Sequence, residues 1–445
     1  MPSWLRNIFK GGAPEQPSVA QGIGSEPASA PAPAETAPPK PPELAQNAES
    51  VQLQRRPLLH RNGHLAGFEI SLPRNSHGAG NSSAALKFLM DGMVSTAESG
   101  RIALTILPIE TLGAPEVNAR VQPGMMFALA DPAHRAPDEG AMIRTLKSRG
   151  GLVGSLGLPR AGASFVVLDA MSLSLETLLE RAQACRKVAS GCQLIATGLR
   201  TIDDMEAAIR GPVEMTTGLF DKVGERRESG AISPNVQRLC RLINRSMNEP
   251  DTRQLGEEIR ADVDLTYRLL RYANSPLLGL KRQVDSVDQA LQILGRQSLF
   301  RWLTTLLVAS TQGRSTSVAL QEIALARAHF LESLAHVVWA PSATLYTTGL
   351  LSLLDVMMQQ PMETLLEPLG LTEESRDALV HRSGPWHDLL ELARSLETGQ
   401  VQTARELSKD LGGLAATEAA MEKAWQAAAV ISAELRDGQR SDSQR

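Results

Sequence analysis

Cysteine is scarce in this chain: only Cys185, Cys192 and Cys240 occur among 445 residues. Three such widely spaced thiols are too few for a disulfide framework and do not have the paired spacing of a zinc site. Unpaired thiols are typical of a reducing compartment, so the composition predicts a cytoplasmic protein.

Long apolar runs are also missing. No stretch of about 18 apolar residues occurs, so the sequence predicts no transmembrane helix. The opening MPSWLRNIFKGG has neither a long apolar segment nor a cleavage site, which argues against a secretory signal. Residues 1–10 do place four apolar side chains on one helical face. The alternatives are a frayed terminus and a short amphipathic helix that contacts a membrane surface peripherally or binds a partner.

An excess of positive charge is absent as well. The formal net charge is −4, and basic pairs such as Arg55-Arg56 and Arg226-Arg227 are isolated. Binding along a phosphate backbone needs a continuous basic face. We therefore predict no nucleic-acid partner.

Common catalytic signatures are not found. The sequence has no phosphate-binding loop, no serine nucleophile elbow and no zinc-binding pair of helical histidines. His329 and His336 are seven residues apart and share one face of a predicted helix. We expect no carboxylate close to these side chains, and therefore packed or half-exposed histidines, with a metal site as the weaker alternative.

The composition divides the chain into four segments. Residues 1–50 combine the short amphipathic start with a Pro- and Ala-rich stretch, which predicts a disordered linker. Residues 51–232 have mixed α/β patterning, residues 233–430 have helical patterning, and residues 431–445 are expected to fray.

The α/β segment begins with a hairpin signal. Asn62-Gly63 separates two strand-like runs, and both residues tolerate the positive φ angles of a tight turn. Further apolar runs, at 102–107, 125–129, 152–153, 165–168 and 193–196, alternate with helical stretches. This alternation predicts parallel strands joined by crossovers, in an open sheet or a barrel.

The helical segment carries capping signals. Ser286 and Gln289 form a capping box, and Gly295 is placed to end the helix that they start. Asn274-Ser275 before Pro276 is interpreted as a helix end and turn, with a ligand groove as the alternative. The tryptophans are predicted to lie in the core, with partner binding as the alternative; they include Trp302, Trp339, Trp386 and Trp425.

Two family resemblances follow from these motifs. The run LLHRNGHLAGFEI resembles the opening of the EAL family of cyclic-di-GMP phosphodiesterases. The helical half resembles the HDOD family, through signature positions at Arg271, Asn274, Ser275, Ser286 and Gly295. Together they imply a shortened, degenerate EAL-type α/β barrel followed by an all-α HDOD domain.

The EAL resemblance also implies which groups should hold two Mg²⁺ ions. Glu69 stands at the signature glutamate, and Asp169 keeps a second acidic position. The phosphate-gripping arginine is replaced by Pro73, with Arg74 one position off. The other expected polar groups are replaced at Ile106, Ala128, Leu156-Gly157, Val167, Thr197 and Arg200.

The HDOD resemblance implies a similar loss. Where HD hydrolases have their metal-binding His-Asp pair, this chain has Ser352-Leu353. We therefore expect no cofactor, no metal and no enzymatic activity in either half. The first hypothesis is a bacterial signal-transduction protein that binds regulatory protein partners. The alternative is a cyclic-di-GMP sensor or residual phosphodiesterase, although the lost groups make cyclic-di-GMP an unfavoured ligand.

Overall fold

The structure is a computed structural model, and it describes residues 53–72, 83–130, 138–220, 233–248, 252–275, 278, 283–311 and 314–442. The predictions for residues 1–50 lie outside the described residues, as do Pro73 and Arg74. Across the described ranges, no helix is both long enough and apolar enough to cross a membrane.

The first part of the described chain is a closed barrel of eight strands. The strands are β1 Gln54–His60, β2 Leu65–Ser71, β3 Ile102–Leu107, β4 Met125–Leu129, β5 Leu152–Leu156, β6 Phe165–Asp169, β7 Gln193–Leu199 and β8 Met215–Gly218. Strand β1 is antiparallel to both β2 and β8, and the other neighbours are parallel. The barrel prediction is confirmed. Strand β8 was missed because its sequence, MTTG, contains a single apolar residue.

Helices connect the parallel strands on the outside of the barrel. They are α1 Ser83–Glu98, α2 Pro115–Asn118, α3 Glu139–Ser148, α4 Leu175–Val188 and α5 Ile202–Arg210. Ser174 and Thr201 are the N-cap residues that precede α4 and α5. Their side chains accept hydrogen bonds from the backbone N–H of Thr177 and Asp204, respectively. These caps satisfy donors that have no partner inside the helix, which fixes where each helix begins.

The barrel interior is apolar. Buried side chains from six strands form one cluster: Leu58, Leu104, Met126, Ala128, Phe165, Val167, Ile195 and Met215. Phe165 is 0% exposed. It fits because Gly154 on the neighbouring strand has no side chain, and a Cβ there would lie 2.5 Å from the phenyl ring. The interior is thus a packed core and not a channel.

The hairpin between β1 and β2 is confirmed, with one correction. Gly63 takes a φ of +79°, but Asn62 has no positive φ. The loop runs from residue 61 to 64 instead of being a two-residue turn, and the Asn62 Oδ1 accepts a hydrogen bond from the His64 N–H at 3.1 Å. The side chain of Asn62 therefore stabilises the turn in place of a second left-handed residue.

The second part of the chain is helical throughout its described residues. Its α-helices are α6 Pro234–Asn248, α7 Thr252–Arg260, α8 Val263–Ala273, α9 Val287–Ala309, α10 Ser317–Val338, α11 Ser342–Leu351, α12 Leu354–Met358, α13 Met362–Leu366, α14 Glu373–Arg376, α15 Pro385–Thr398, α16 Val401–Ser408 and α17 Leu414–Asp442. A π-helical turn, Asp377–His381, follows α14. The backbone of α17 continues to Asp442, whereas the sequence predicts fraying from residue 431.

The capping box that starts α9 is confirmed, whereas α9 continues to Ala309 beyond Gly295, where the sequence predicts its end. Ser286 accepts a hydrogen bond from the Gln289 N–H, and the Gln289 side chain reaches back to the N–H of Asp285. Gly295 interrupts the helix with φ 66° and ψ 177°. The chain continues as helix beyond this kink because the following residues, Leu299 to Ala309, pack their apolar side chains in the core.

The two parts pack against each other, and Gln52–Arg445 forms one compact unit. A hairpin has no crossover helix, so the outer face of β1 and β2 is left for the helical part to cover. Phe68 of β2 meets the ring of Trp425 edge-on, with 5.0 Å between centroids. Beside the hairpin, the side chain of Arg314 pairs with Asp203 at 2.7 Å and with Glu206 at 3.3 Å.

Candidate functional site

The carboxyl ends of the parallel strands form the mouth of the barrel, the usual place for ligand chemistry in this architecture. Glu69 lies there on β2, opposite Arg56 of β1. Its carboxylate is buried, and its Oε1 lies 3.6 Å from Nη1 of Arg56. Arg56 is held in place by Gln54 and by the carbonyl oxygen of Thr398, at 3.2 and 3.3 Å. A guanidinium in this position repels a divalent cation.

Four further positions of the expected metal site face the barrel core. Ala128 and Val167 belong to the apolar cluster, and Ile106 and Leu156 pack against it. None of these side chains has an oxygen or nitrogen donor, whereas Mg²⁺ needs several oxygen ligands in an octahedral arrangement.

The second retained carboxylate lies far around the barrel from the first. Asp169 ends β6, four strands from β2, and its carboxylate accepts a hydrogen bond from the N–H of Met171 at 3.0 Å. Its neighbour across the β6–β7 pair is Thr197. Arg200 donates to the carbonyl oxygen of Met171 at 3.0 Å, which adds a second cation to the rim.

The donor set does not fit a pair of magnesium ions. Glu69 and Asp169 lie on strands that are four apart in the closed barrel, and Arg56 lies beside Glu69. Among the described residues, no group of three or more His, Cys, Asp or Glu side chains is placed to hold a metal ion.

The corresponding position in the helical part is filled by an ion pair. Ser352 lies 3.4 Å from Nη1 of Arg327, and Leu353 is fully buried. Arg327 also donates to both carboxylate oxygens of Glu397, at 2.9 and 2.6 Å, and both residues are less than 5% exposed. The buried guanidinium of Arg327 thus lies next to Ser352, one of the two positions at which HD hydrolases are expected to carry their metal-binding His-Asp pair.

A different feature dominates the helical part, a cavity of about 810 Å³ that opens to solvent between α8, α9, α10, α11 and α17. We call it the helical cavity. Its wall contains three arginines, Arg268, Arg271 and Arg301. None of the described residues that line it is acidic. The cavity is therefore electropositive in its lining, although the whole chain is slightly acidic.

Arg301 is fixed by its neighbours on one side of the helical cavity. Its Cζ lies 3.7 Å from the centre of the Tyr346 ring, and its guanidinium pairs with Glu332. Nδ1 of His329 lies 3.4 Å from the other oxygen of Glu332. The sequence-based expectation that His329 has no carboxylate nearby is therefore wrong, because Glu332 lies one helical turn away.

Burial and charge shift two pKa values in this group. Burial raises the pKa of Tyr346, so the phenol stays protonated. Burial would also raise the pKa of Glu332, but the hydrogen bond from His329 and the charge of Arg301 together hold that pKa below its usual value. Glu332 is thus a carboxylate that orients both the arginine and the histidine.

Two polar atoms in the wall of the helical cavity are buried and have no hydrogen-bond partner among the described residues. They are Oγ of Ser275 and Nε2 of His329. Buried polar groups are nearly always hydrogen-bonded, so each exception requires an explanation.

The structure brings three of the family-signature positions together and separates the other two. Arg271, Asn274 and Ser275 line the helical cavity. Asn274 also bonds Leu270 and Val284 through its side chain, with three contacts of 2.8 Å, so its structural role is confirmed. Ser286 and Gly295 do not line the cavity and act in the helix start and kink described above.

Sequence reasoning missed the aromatic and basic residues of the cavity wall, including Arg268, Tyr272, Arg301 and Tyr346. A local signal was present, because Arg268 and Tyr272 are four residues apart and share a helical face. That spacing is also typical of a solvated face, so it could not identify a cavity without the packing of α9 and α17.

The tryptophans divide into two groups. Trp302, Trp386 and Trp425 are buried, as predicted. Trp339 is 83% exposed and takes a left-handed backbone conformation with φ 54° at the end of α10. The core prediction for this residue is wrong, because α10 ends there and no element among the described residues covers the ring.

Comparison with known proteins agrees with the helical half of this description. Residues 231–381 match the HDOD domain family. The uncharacterized protein YuxH of Bacillus subtilis is 26% identical over 228 residues, which cover 50% of this chain and 56% of YuxH. The cyclic di-GMP phosphodiesterase CdgJ of Vibrio cholerae is 27% identical over 251 residues, 56% of this chain and 58% of CdgJ. The chain thus spans less than two thirds of the length of these relatives.

Two solved structures also match parts of this chain. The EAL domain of Mycobacterium smegmatis DcpA matches 38% of this chain and 90% of its own length, with a TM-score of 0.32 and 13% identity. A putative phosphohydrolase from Shewanella amazonensis matches 44% of this chain and 94% of its own length, with a TM-score of 0.33 and 17% identity. The predicted order, an α/β barrel followed by a helical region that matches the HDOD family, is confirmed.

Proposed function

We propose that this protein is a non-catalytic, cytoplasmic regulator in bacterial cyclic-di-GMP signalling that acts by binding a protein partner. The link to this signalling system comes from the relative CdgJ, which is named a cyclic di-GMP phosphodiesterase.

The pairing of Arg56 with Glu69 is the observation that carries the proposal. In a phosphodiesterase of this type, the signature glutamate has to be available to a metal ion. Here the carboxylate is buried against a guanidinium whose position is set by Gln54 and Thr398. Placing Mg²⁺ beside Glu69 would bring a second cation next to the Arg56 guanidinium, and the two like charges would repel each other.

A second candidate function is a cyclic-di-GMP sensor or residual phosphodiesterase. The observation in its favour is the persistence of Glu69 and Asp169 at two strand ends of the mouth. Titration calorimetry and a hydrolysis assay with cyclic-di-GMP, each with and without Mg²⁺, distinguish the two functions. We expect no turnover and no effect of Mg²⁺ on any heat of binding. Measurable turnover that requires Mg²⁺ would contradict the non-catalytic assignment.

We expect Glu69→Ala to leave the cellular phenotype of the gene unchanged, because this carboxylate serves no metal. Glu69→Gln is the matched control, since it keeps the size and hydrogen-bonding capacity of the side chain while removing the charge. Protein abundance and thermal unfolding should be measured for both variants. Loss of the phenotype with both variants folded and abundant would show that the carboxylate is functional.

Trp339 supports the protein-binding part of the proposal. Tryptophan is enriched among residues that dominate binding energy, and this one is exposed on a left-handed backbone that disfavours large residues. We expect Trp339→Ala to weaken capture of the native partner at least tenfold while the melting temperature stays within a few degrees of wild type. Val188→Ala is the control, because Val188 is 81% exposed on the barrel. Equal capture by wild type and Trp339→Ala would show that Trp339 does not contribute to partner binding.

A further inference from the structure

We propose that the helical cavity is a binding site for a small ligand of the nucleotide class, in which an anionic phosphate is joined to a planar ring. This inference concerns the helical part alone and holds whether or not the barrel binds a nucleotide.

The charge of the wall favours an anion. Arg268, Arg271 and Arg301 converge on one cavity, and no described lining residue is acidic. Asp264 bonds Arg268 and Glu332 pairs with Arg301, and neither of these two carboxylates lines the cavity. Arginine presents its N–H donors as a planar fork that matches phosphate oxygens, which makes it the usual residue for phosphate recognition.

The aromatic residues favour a planar group in the same ligand. Tyr272 lines the cavity and lies against Trp302, with 6.2 Å between ring centres and 26° between ring planes. Because Trp302 is buried, it fixes the orientation of the Tyr272 ring. A ring held in this way can stack a nucleobase, as aromatic side chains do in single-stranded nucleic-acid complexes.

The unsatisfied polar atoms supply directional contacts. Glu332 engages Nδ1 of His329, so Nε2 is the ring nitrogen left to contact a ligand. The hydroxyl of Ser275 can donate or accept. Both atoms are buried and unpartnered among the described residues, and hydrogen bonds to the sugar or base of a ligand would satisfy them.

The size of the cavity agrees with this class of ligand. Its volume of about 810 Å³ falls within the range of about 300–1,000 Å³ that is usual for small-molecule sites. Half of its described lining residues are apolar or aromatic, and the polar residues would fix the orientation of the ligand.

Titration calorimetry with the full chain tests the proposal with five probes: GMP, UMP, cyclic-di-GMP, guanosine and inorganic phosphate. We expect at least one nucleotide to bind with one site per chain. Guanosine lacks the phosphate and inorganic phosphate lacks the planar ring, so each of them should bind at least tenfold more weakly than the nucleotide. Raising the salt concentration should weaken nucleotide binding, because the phosphate contacts are charge-dependent.

Substitutions locate the site. Arg271→Gln and Arg301→Gln should each reduce nucleotide affinity at least tenfold, while Arg405→Gln, at an exposed arginine of α16 outside the cavity, should leave it unchanged. Circular dichroism checks that each variant is folded. If Arg301→Gln unfolds because Glu332 loses its partner, Arg271→Gln still decides the question.

Three results would overturn the proposal. The first is the absence of binding by all three nucleotides at millimolar concentration. The second is nucleotide binding that survives Arg271→Gln unchanged, since the ligand would then lie elsewhere. The third is phosphate binding as tightly as the nucleotides, which would identify a simple anion site.

Discussion

Replacing Arg327 by Met is expected to lower the free energy of unfolding by about 3–5 kcal/mol, the usual cost of leaving one member of a buried ion pair without its partner. The guanidinium donates to both oxygens of Glu397 through Nε and Nη2, at 2.9 and 2.6 Å. Glu397 is 3% exposed, so water cannot replace the lost contacts. Urea unfolding followed by circular dichroism measures the change.

Two controls separate the lost pair from other effects. Arg394→Met removes an arginine from a half-exposed pair with Glu391 on the same helix as Glu397, and exposed pairs contribute at most about 1 kcal/mol. The double variant Arg327→Met with Glu397→Leu removes both charges and should recover most of the loss, because apolar residues can replace a buried pair without cost. A loss below 1 kcal/mol for Arg327→Met alone would show that the pair is hydrated.

Gly63→Ala is expected to destabilise the compact unit by about 2–5 kcal/mol, which combines about 1–2 kcal/mol for a left-handed alanine with about 1–3 kcal/mol for overpacking. Gly63 has φ +79°, and a Cβ there would lie 2.0 Å from the carbonyl oxygen of Ser315. That oxygen belongs to the backbone and cannot rotate away. Relief of this clash requires a backbone shift at Gly63 or Ser315. Such a shift would also disturb the hydrogen bond from the Ala319 N–H to the Gly63 carbonyl, 3.0 Å in length.

Gly162→Ala is the matched control for the hairpin. Gly162 has φ +78°, nearly the same as Gly63, and no atom lies within 4 Å of the position where its Cβ would be. It should therefore cost only the backbone term of about 1–2 kcal/mol. Urea unfolding measures the loss of unfolding free energy for both variants. Equal losses would contradict the prediction, because they would mean that Ser315 moves away from the added methyl group without an energetic penalty.

The end of α15 joins the core of the helical part to the mouth of the barrel. Glu397 pairs with Arg327, and the next two residues accept hydrogen bonds from the barrel, Thr398 from Arg56 and Gly399 from Gln54. Three consecutive residues thus contact both parts. The sequence suggested a boundary near residue 232, but residues distant in the chain make the two parts one compact unit.

Most of the secondary structure could be read from local patterns. Asn62-Gly63 marked the hairpin, short apolar runs marked strands β3 to β7, and Ser286 marked the start of α9. Gly295, which the sequence predicts to end that helix, forms a kink within it. These signals act over a few residues, through turn geometry, capping and side-chain periodicity, so the surrounding fold did not need to be known. Strand β8 escaped because its pairing with β1 and β7, not its own composition, makes it a strand.

The sequence by itself determined the order of barrel and helical domain, and the family resemblance predicted which side chains stand at the expected metal-binding positions. Only the tertiary structure decided that Arg56 lies against Glu69, that Arg327 and Glu397 form a buried pair, that Trp339 is exposed, and that a basic and aromatic cavity opens in the helical part. The physical reason is that charge pairing, burial and cavity shape depend on contacts between residues that can be hundreds of positions apart, which no local pattern encodes.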